Sequence, residues 1–235
     1  MKKPIIGILA KHLIRNSPRL DLYIRDEVKD AIFYNGATPI GLVPSTVGMD
    51  LVMTVDEKKV SADLDSHLTF VEKELLVEQI KMCDGVVFQG GAESDAYEIF
   101  VARYCYENDI PMLCICEGQT NLLRAVGGST KKLPNGDRHY RMTEEYVHDI
   151  FIEKDTLLYD IIKKHVMKVN SRHHFTPDDC RNLTVSAHDD EGNIEVVEDK
   201  SKRFCIGMRF HPESLYLKDE NHNAIIKAFI DACKR

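Results

Sequence analysis

PMLCICEGQTNLLRAVGG, residues 111–128, decides the architecture. Its first half is an unbroken apolar run. Its second half carries apolar side chains at helical spacing and closes on Gly127-Gly128, the usual left-handed stop of a helix. The strand therefore turns directly into a helix, with Gly118 two positions beyond Cys116 to give room for a sharp bend. Such a bend lifts the Cys116 side chain clear of the sheet. It also sets the sulfur at a helix N-terminus, where unpaired N–H groups and the helix dipole favour a thiolate. The same N–H groups suit the oxyanion of an acyl-transfer intermediate.

Outward from this turn, strand and helix signals alternate. Pro4 to Leu9 reads as a buried strand, 22–35 as a helix stopped by Gly36, and Thr38 to Val43 as a strand. A helix over 70–82 is expected with Phe70, Leu75, Leu76 and Ile80 on one side. It is followed by strand 85–91 and a helix over 94–107. Residues 46–66 are polar and weakly patterned, and read as a surface excursion. Beyond residue 180 the pattern changes. Two strands joined by the Glu-Gly-Asn turn 191–193 precede strand 204–210 and a last helix over 219–234. The alternation predicts α/β: a three-layer sandwich with a mostly parallel central sheet flanked by helices, plus a C-terminal antiparallel extension, flavodoxin-like, in one domain over 1–235. Sites in such sheets lie beyond the carboxyl ends of strands, where Cys116 falls.

A thiolate nucleophile needs a base, and the base needs an orienting group. In MRFHPES, His211 follows a strand and Glu213 lies two residues on, so both point the same way in an extended segment. The formal charge of −7 and pI near 5.8 argue against nucleic acid or an anionic membrane as partner. The apolar start breaks at Lys11 with no small-residue cleavage site following, so it reads as a first strand and not as a leader. Seven cysteines, an odd number, suit reduced thiols in the cytoplasm. Five of them, Cys83, Cys105, Cys180, Cys205 and Cys233, read as buried apolar thiols.

Four segments then carry a resemblance: FQGGAESDAYE, ICEGQTNLLRAVGGS, VNSRHHF and GMRFHPE. In this order they resemble class I glutamine amidotransferase-like hydrolases, within them the γ-glutamyl-γ-aminobutyrate hydrolase branch of the γ-glutamyl peptidase family. The resemblance covers nearly the whole chain. It implies that Cys116, His211 and Glu213 form a catalytic triad cleaving the γ-glutamyl amide bond of a small-molecule substrate through a thioester. It further implies an oxyanion hole at the backbone of Gly91 and Glu117, and substrate contacts at Gly90, Gln119, Thr120, Ser171, His173 and His174. No cofactor and no metal are expected, and the resemblance is compatible with a homodimer.

Departures from the family pattern concern the nucleophile's neighbours. Cys114 stands where the family has Gly, Glu117 where this branch commonly has Arg, and Thr120 where it has Gln; Arg209-Phe210 replaces Gln-Trp. Glu117 is expected to raise the Cys116 pKa by like-charge repulsion and to favour a basic leaving amine. Two alternatives stay open. One is a glutaminase subunit feeding a separate synthetase, although the Leu-Gly-Met-Gln usual after its cysteine is absent. The other is a catalytically silent metal-binding or regulatory relative, with Cys114, Cys116, His173 and His174 as ligands. The basic run Arg138-His139-Tyr140-Arg141 reads as a solvated loop or as an attractor for an anionic substrate end.

Overall fold

The structure is a computed structural model that describes residues 2–13, 21–44, 68–91 and 94–234. In chain order the first half comprises β1 (Ile5–Leu9), β2 (Lys11–Leu13), β3 (Asp21–Tyr23), α1 (Asp26–Tyr34), β4 (Thr38–Leu42), α2 (Phe70–Lys81), β5 (Gly85–Phe88), α3 (Ala96–Glu107), β6 (Met112–Ile115) and α4 (Glu117–Ala125). The second half comprises β7 (Ser129–Lys132), α5 (Gly136–His139), β8 (His148–Ile152), α6 (Leu157–Ile162), β9 (Val166–Val169), β10 (Phe175–Asp179), β11 (Thr184–His188), β12 (Ile194–Glu198), β13 (Cys205–Met208) and α7 (Glu220–Ala232).

Nine strands form one sheet in the order β4-β1-β5-β6-β13-β12-β11-β8-β9. The first five run parallel, as continuous apolar runs covered on both faces require. The remaining strands pair antiparallel. The extension is not confined to the C-terminal part, because β8 and β9 at its outer edge precede residue 170. Two apolar layers flank the sheet. Leu113 and Ile115 of β6 enter one, and Met112 and Cys114 enter the other, by strand alternation.

The strand and helix expectations hold along the parallel half, with two differences. The helix expected over 22–35 begins only at Asp26, because Asp21–Tyr23 pairs with Lys11–Leu13 as a small antiparallel ribbon. In α2 only Leu76 and Ile80 are buried, whereas Phe70 and Leu75 face outward. That helix is fixed by a capping box in which Thr69 and Glu72 satisfy each other's backbone N–H groups. The surface excursion expected over 46–66 lies outside the described residues. Among the described residues no helix is long and apolar enough to cross a membrane.

The register of β13 against β6 positions the site. Cys205 pairs with Met112 and Met208 with Ile115, so both strands end at the same level and deliver the segments beginning at Arg209 and Cys116 side by side. The Cys116 N–H donates to the Met208 carbonyl at 2.7 Å, closing the last rung of this pair.

Candidate active site

Cys116 occupies φ 53, ψ −106, a conformation that L-residues adopt only under constraint. The constraint comes from both sides. Its own N–H is tied to β13, and its carbonyl accepts from Gln119 N–H at 3.0 Å and from the Arg209 guanidinium at 2.8 Å. Gly118 lets α4 start against the sheet, since a Cβ there would lie 2.2 Å from the Phe88 carbonyl oxygen. The strand-to-helix turn expected from residues 111–128 is thus present, with Gly127 at φ +82 at its far end.

His211 follows β13, and Asn170 grips its backbone from both sides. The His211 N–H donates to Asn170 Oδ1 at 2.7 Å, and Asn170 Nδ2 donates to the His211 carbonyl at 2.8 Å. Nδ1 of His211 bonds Glu213 Oε1 at 2.8 Å, both side chains being buried. With the Nδ1 proton held by the carboxylate, Nε2 is left for the thiol. Both partners rest on Gly90, where a Cβ would lie 2.8 Å from His211 Cε1 and 3.2 Å from Cys116 Cβ.

Burial by itself raises the Cys116 thiol, but the charge and hydrogen bond of His211, together with the Arg209 guanidinium, outweigh it and hold the pKa below that of an ordinary cysteine. Glu117 does oppose this, as its sequence position led one to expect, but it is the smallest of these influences. Burial likewise disfavours a charged His211, yet Glu213 and Cys116 overcome it and push His211 up to about 10. The pair therefore favours thiolate with imidazolium, the state an activated cysteine requires.

The thiol opens into a cavity of about 320 Å³. Of the residues expected at the site, Gly91, Glu117, His173 and His174 line it. Gly90 stands directly behind Cys116 and His211. Three expected substrate contacts do not reach the cavity. Gln119 points into the interior, where its Nε2 donates to the carbonyls of Glu195 and Gly207. Thr120 accepts from Arg209, and Ser171 is wholly buried with its hydroxyl 3.4 Å from His139.

The remaining wall comes from Arg25, Tyr140, Met142, Arg172, Phe175 and Arg209, which sequence reading did not place there. Arg209 had been marked only as a departure from pattern. Buried, it bonds the carbonyls of Cys116 and Phe175 and the Thr120 hydroxyl, and so braces the strand-to-helix turn at Cys116 from beneath. The run 138–141 divides in function. Arg138 pairs with Asp190 and Glu191, His139 is buried, and Tyr140 stacks on His174 at the cavity mouth. Glu117 accepts a hydrogen bond from Ser94 at 2.5 Å.

All seven cysteines are free thiols. The ligand set Cys114, Cys116, His173 and His174 is not brought together, because Cys114 faces the opposite apolar layer from Cys116. Among the described residues, two other groups hold ligand atoms close enough to share a metal: His139, His148, His173 and Glu195, and His139, Asp189 and Glu191.

Comparison with known proteins agrees with the fold. A glutamine amidotransferase-like protein of Rickettsia prowazekii is 27% identical across 99% of both chains. The γ-glutamyl-γ-aminobutyrate hydrolase of Escherichia coli O157:H7 is 23% identical over 100% of this chain and 95% of its own length. The crystal structure of a glutamine amidotransferase from Methylobacillus flagellatus superposes with a TM-score of 0.62, at 12% identity over 99% of this chain and 96% of the other. The Peptidase C26 family model matches residues 92–213, just over half of the sequence, and this chain belongs to that family.

Proposed function

We propose that the protein is a cysteine hydrolase that cleaves the γ-glutamyl amide bond of a small γ-glutamyl amine. The observation that carries this reading is the buried Cys116–His211–Glu213 arrangement opening into a cation-rich cavity. The Cys116 thiolate attacks the γ-carbonyl carbon, and the backbone N–H groups of Glu117 and Gly91 receive the oxyanion. His211 gives its proton to the departing amine, leaving a γ-glutamyl thioester. Neutral His211 then takes a proton from water, which attacks the thioester and frees glutamate and the thiolate.

Arg25 and Arg172 give the cavity two guanidinium groups suited to the α-carboxylate of the glutamyl group and to an acidic leaving amine. Glu117 lines the same cavity and accepts from Ser94 through one oxygen, so the two guanidinium groups outnumber the one carboxylate in favour of an acidic amine. The name of the Escherichia coli relative points to the same acidic amine. The test is glutamate release from γ-glutamyl-γ-aminobutyrate, γ-glutamyl-putrescine and L-glutamine. Release is expected first from the γ-aminobutyrate amide. Release from glutamine alone would favour the glutaminase reading, and release from none would refute hydrolysis.

The triad also sets a pH dependence. The active form carries thiolate and imidazolium, so kcat/KM declines on the alkaline side as His211 loses its proton near pH 10. Glu213→Gln removes the carboxylate that raises His211. The alkaline limb is then expected to move to lower pH, with kcat reduced roughly 10²–10⁴-fold. A pH–rate profile checks both, and an unmoved limb would show that Glu213 does not act on His211.

A further inference from the structure

Behind the cavity wall, three histidines surround one carboxylate. Glu195 Oε1 lies 3.5 Å from His173 Nε2, 3.7 Å from His139 Nδ1 and 3.8 Å from His148 Nε2. All four side chains are at least 97% buried. These separations exceed those of hydrogen bonds. Neither oxygen of Glu195, nor Nε2 of His148 or His173, has a hydrogen-bond partner. Buried lone pairs without donors are costly, and here they converge on one point from four parts of the chain.

In His173 and His148 the opposite ring nitrogen is held by a backbone carbonyl. His173 Nδ1 bonds the Phe175 carbonyl at 2.9 Å, and His148 Nδ1 bonds the Asp149 carbonyl at 3.1 Å. His139 is placed differently: its Nε2 lies 3.3 Å from Asp189 Oδ2 without a hydrogen bond, and its Nδ1 lies 3.4 Å from the Ser171 hydroxyl. Asp189 is itself fixed by the N–H groups of Glu191 and Asn193 and by the Asn193 side chain. The two carbonyls take the Nδ1 protons and turn the bare Nε2 atoms of His148 and His173 toward Glu195. Metal-binding histidines are oriented in this way.

We propose that His139, His148, His173 and Glu195 bind a zinc-like divalent cation with three nitrogen ligands and one oxygen ligand. Zinc bonds of about 2.0–2.1 Å set tetrahedral ligand separations of about 3.4 Å, up to a few tenths shorter than the three Glu195–histidine separations. The four ligand atoms lie within 4.8 Å of one another. The second group, with Asp189 and Glu191, is the weaker one, since Glu191 is exposed and paired with Arg138. Four protein ligands leave no open position, so the ion fastens α5, β8, β12 and the 170–175 segment together and takes no part in the chemistry. The sequence reading had expected no metal in the main case, had offered Cys114, Cys116, His173 and His174 as ligands in the alternative, and had assigned His173 to substrate. The Phe175 carbonyl that orients His173 also accepts from Arg209, which holds the Cys116 carbonyl, so the metal and the nucleophile turn share a brace.

The test strips the full-length protein with a chelator and titrates it with zinc chloride against a chromophoric competitor. A parallel titration with cobalt chloride is read by visible absorption. One equivalent is expected, with the bands of four-coordinate cobalt and no thiolate charge-transfer band in the near ultraviolet. Asp189→Asn is expected to weaken zinc roughly 10–100-fold, Glu195→Gln by more, and Cys116→Ala not at all. Circular dichroism of each stripped variant separates lost binding from lost folding, and the wild-type titration stands without them. Wild type that binds no zinc, or a folded Glu195→Gln that binds it unchanged, would overturn the site. So would a thiolate band that disappears in Cys116→Ala.

Discussion

Cys116→Ala is expected to lose glutamate release by roughly 10⁴–10⁶-fold, the scale on which removal of a nucleophile acts. No other thiol is prepared to replace it. Burial pushes Cys83 up to about 11 and Cys205 and Cys233 up to about 12, and it raises Cys105, Cys114 and Cys180 as well. Only Cys116 lies below the ordinary value, through His211 and Arg209. The variant keeps the same left-handed φ and loses one buried sulfur, so its thermal melt is expected close to wild type. The coupled assay for released glutamate reads the loss. Comparable release from wild type and Cys116→Ala would place the nucleophile elsewhere.

Arg209→Met is expected to lower folding stability by about 3–5 kcal/mol, the range seen when one partner of a buried polar assembly is removed. Methionine fills part of the volume but donates nothing. The carbonyls of Cys116 and Phe175 and the Thr120 hydroxyl would each lose a donor in a dry interior. The thiolate also loses a nearby positive charge, so the Cys116 pKa rises and activity in the folded fraction falls. Arg209→Lys should lie between, because one ammonium keeps the charge but cannot span acceptors on two sides of a planar fork. Urea denaturation separates the three proteins. A Met variant as stable as wild type would show that the guanidinium is dispensable to the turn.

The nucleophile turn was legible in the sequence because everything that makes it is local: an apolar run, a cysteine, a glycine and a helix. His211 and Glu213 were legible as a pair following a strand, but the segment joining them is a 3-10 turn, Pro212–Ser214, and not the extended chain expected. The parallel half of the sheet followed from strand runs buried on both faces. Residues 129–179 were not read as elements, and the cause is visible in β7. Ser129–Lys132 is polar and pairs with β10 outside the main sheet, so no apolar period marks it. Side-chain direction was the other limit. His173 and His174 are neighbours, yet one enters the buried histidine cluster and the other stacks on Tyr140. Gln119 and Thr120, expected to face substrate, are turned inward by the helical phase that begins at Cys116. Arg25 and Arg172 reach the cavity only through tertiary structure, which no spacing in the chain announces.

The position of β13 has a consequence for synthesis. It lies at the middle of the sheet, between β6 and β12, yet among the described residues it is the last strand in sequence. Both groups that acidify the thiol follow it, and Arg209 meets Cys116 across 93 residues of sequence. A ribosome-bound chain that has already released Cys116 therefore carries an unarmed sulfur, with the chemistry of an ordinary thiol. The acidified thiol arises only when β13 slots into place between β6 and β12.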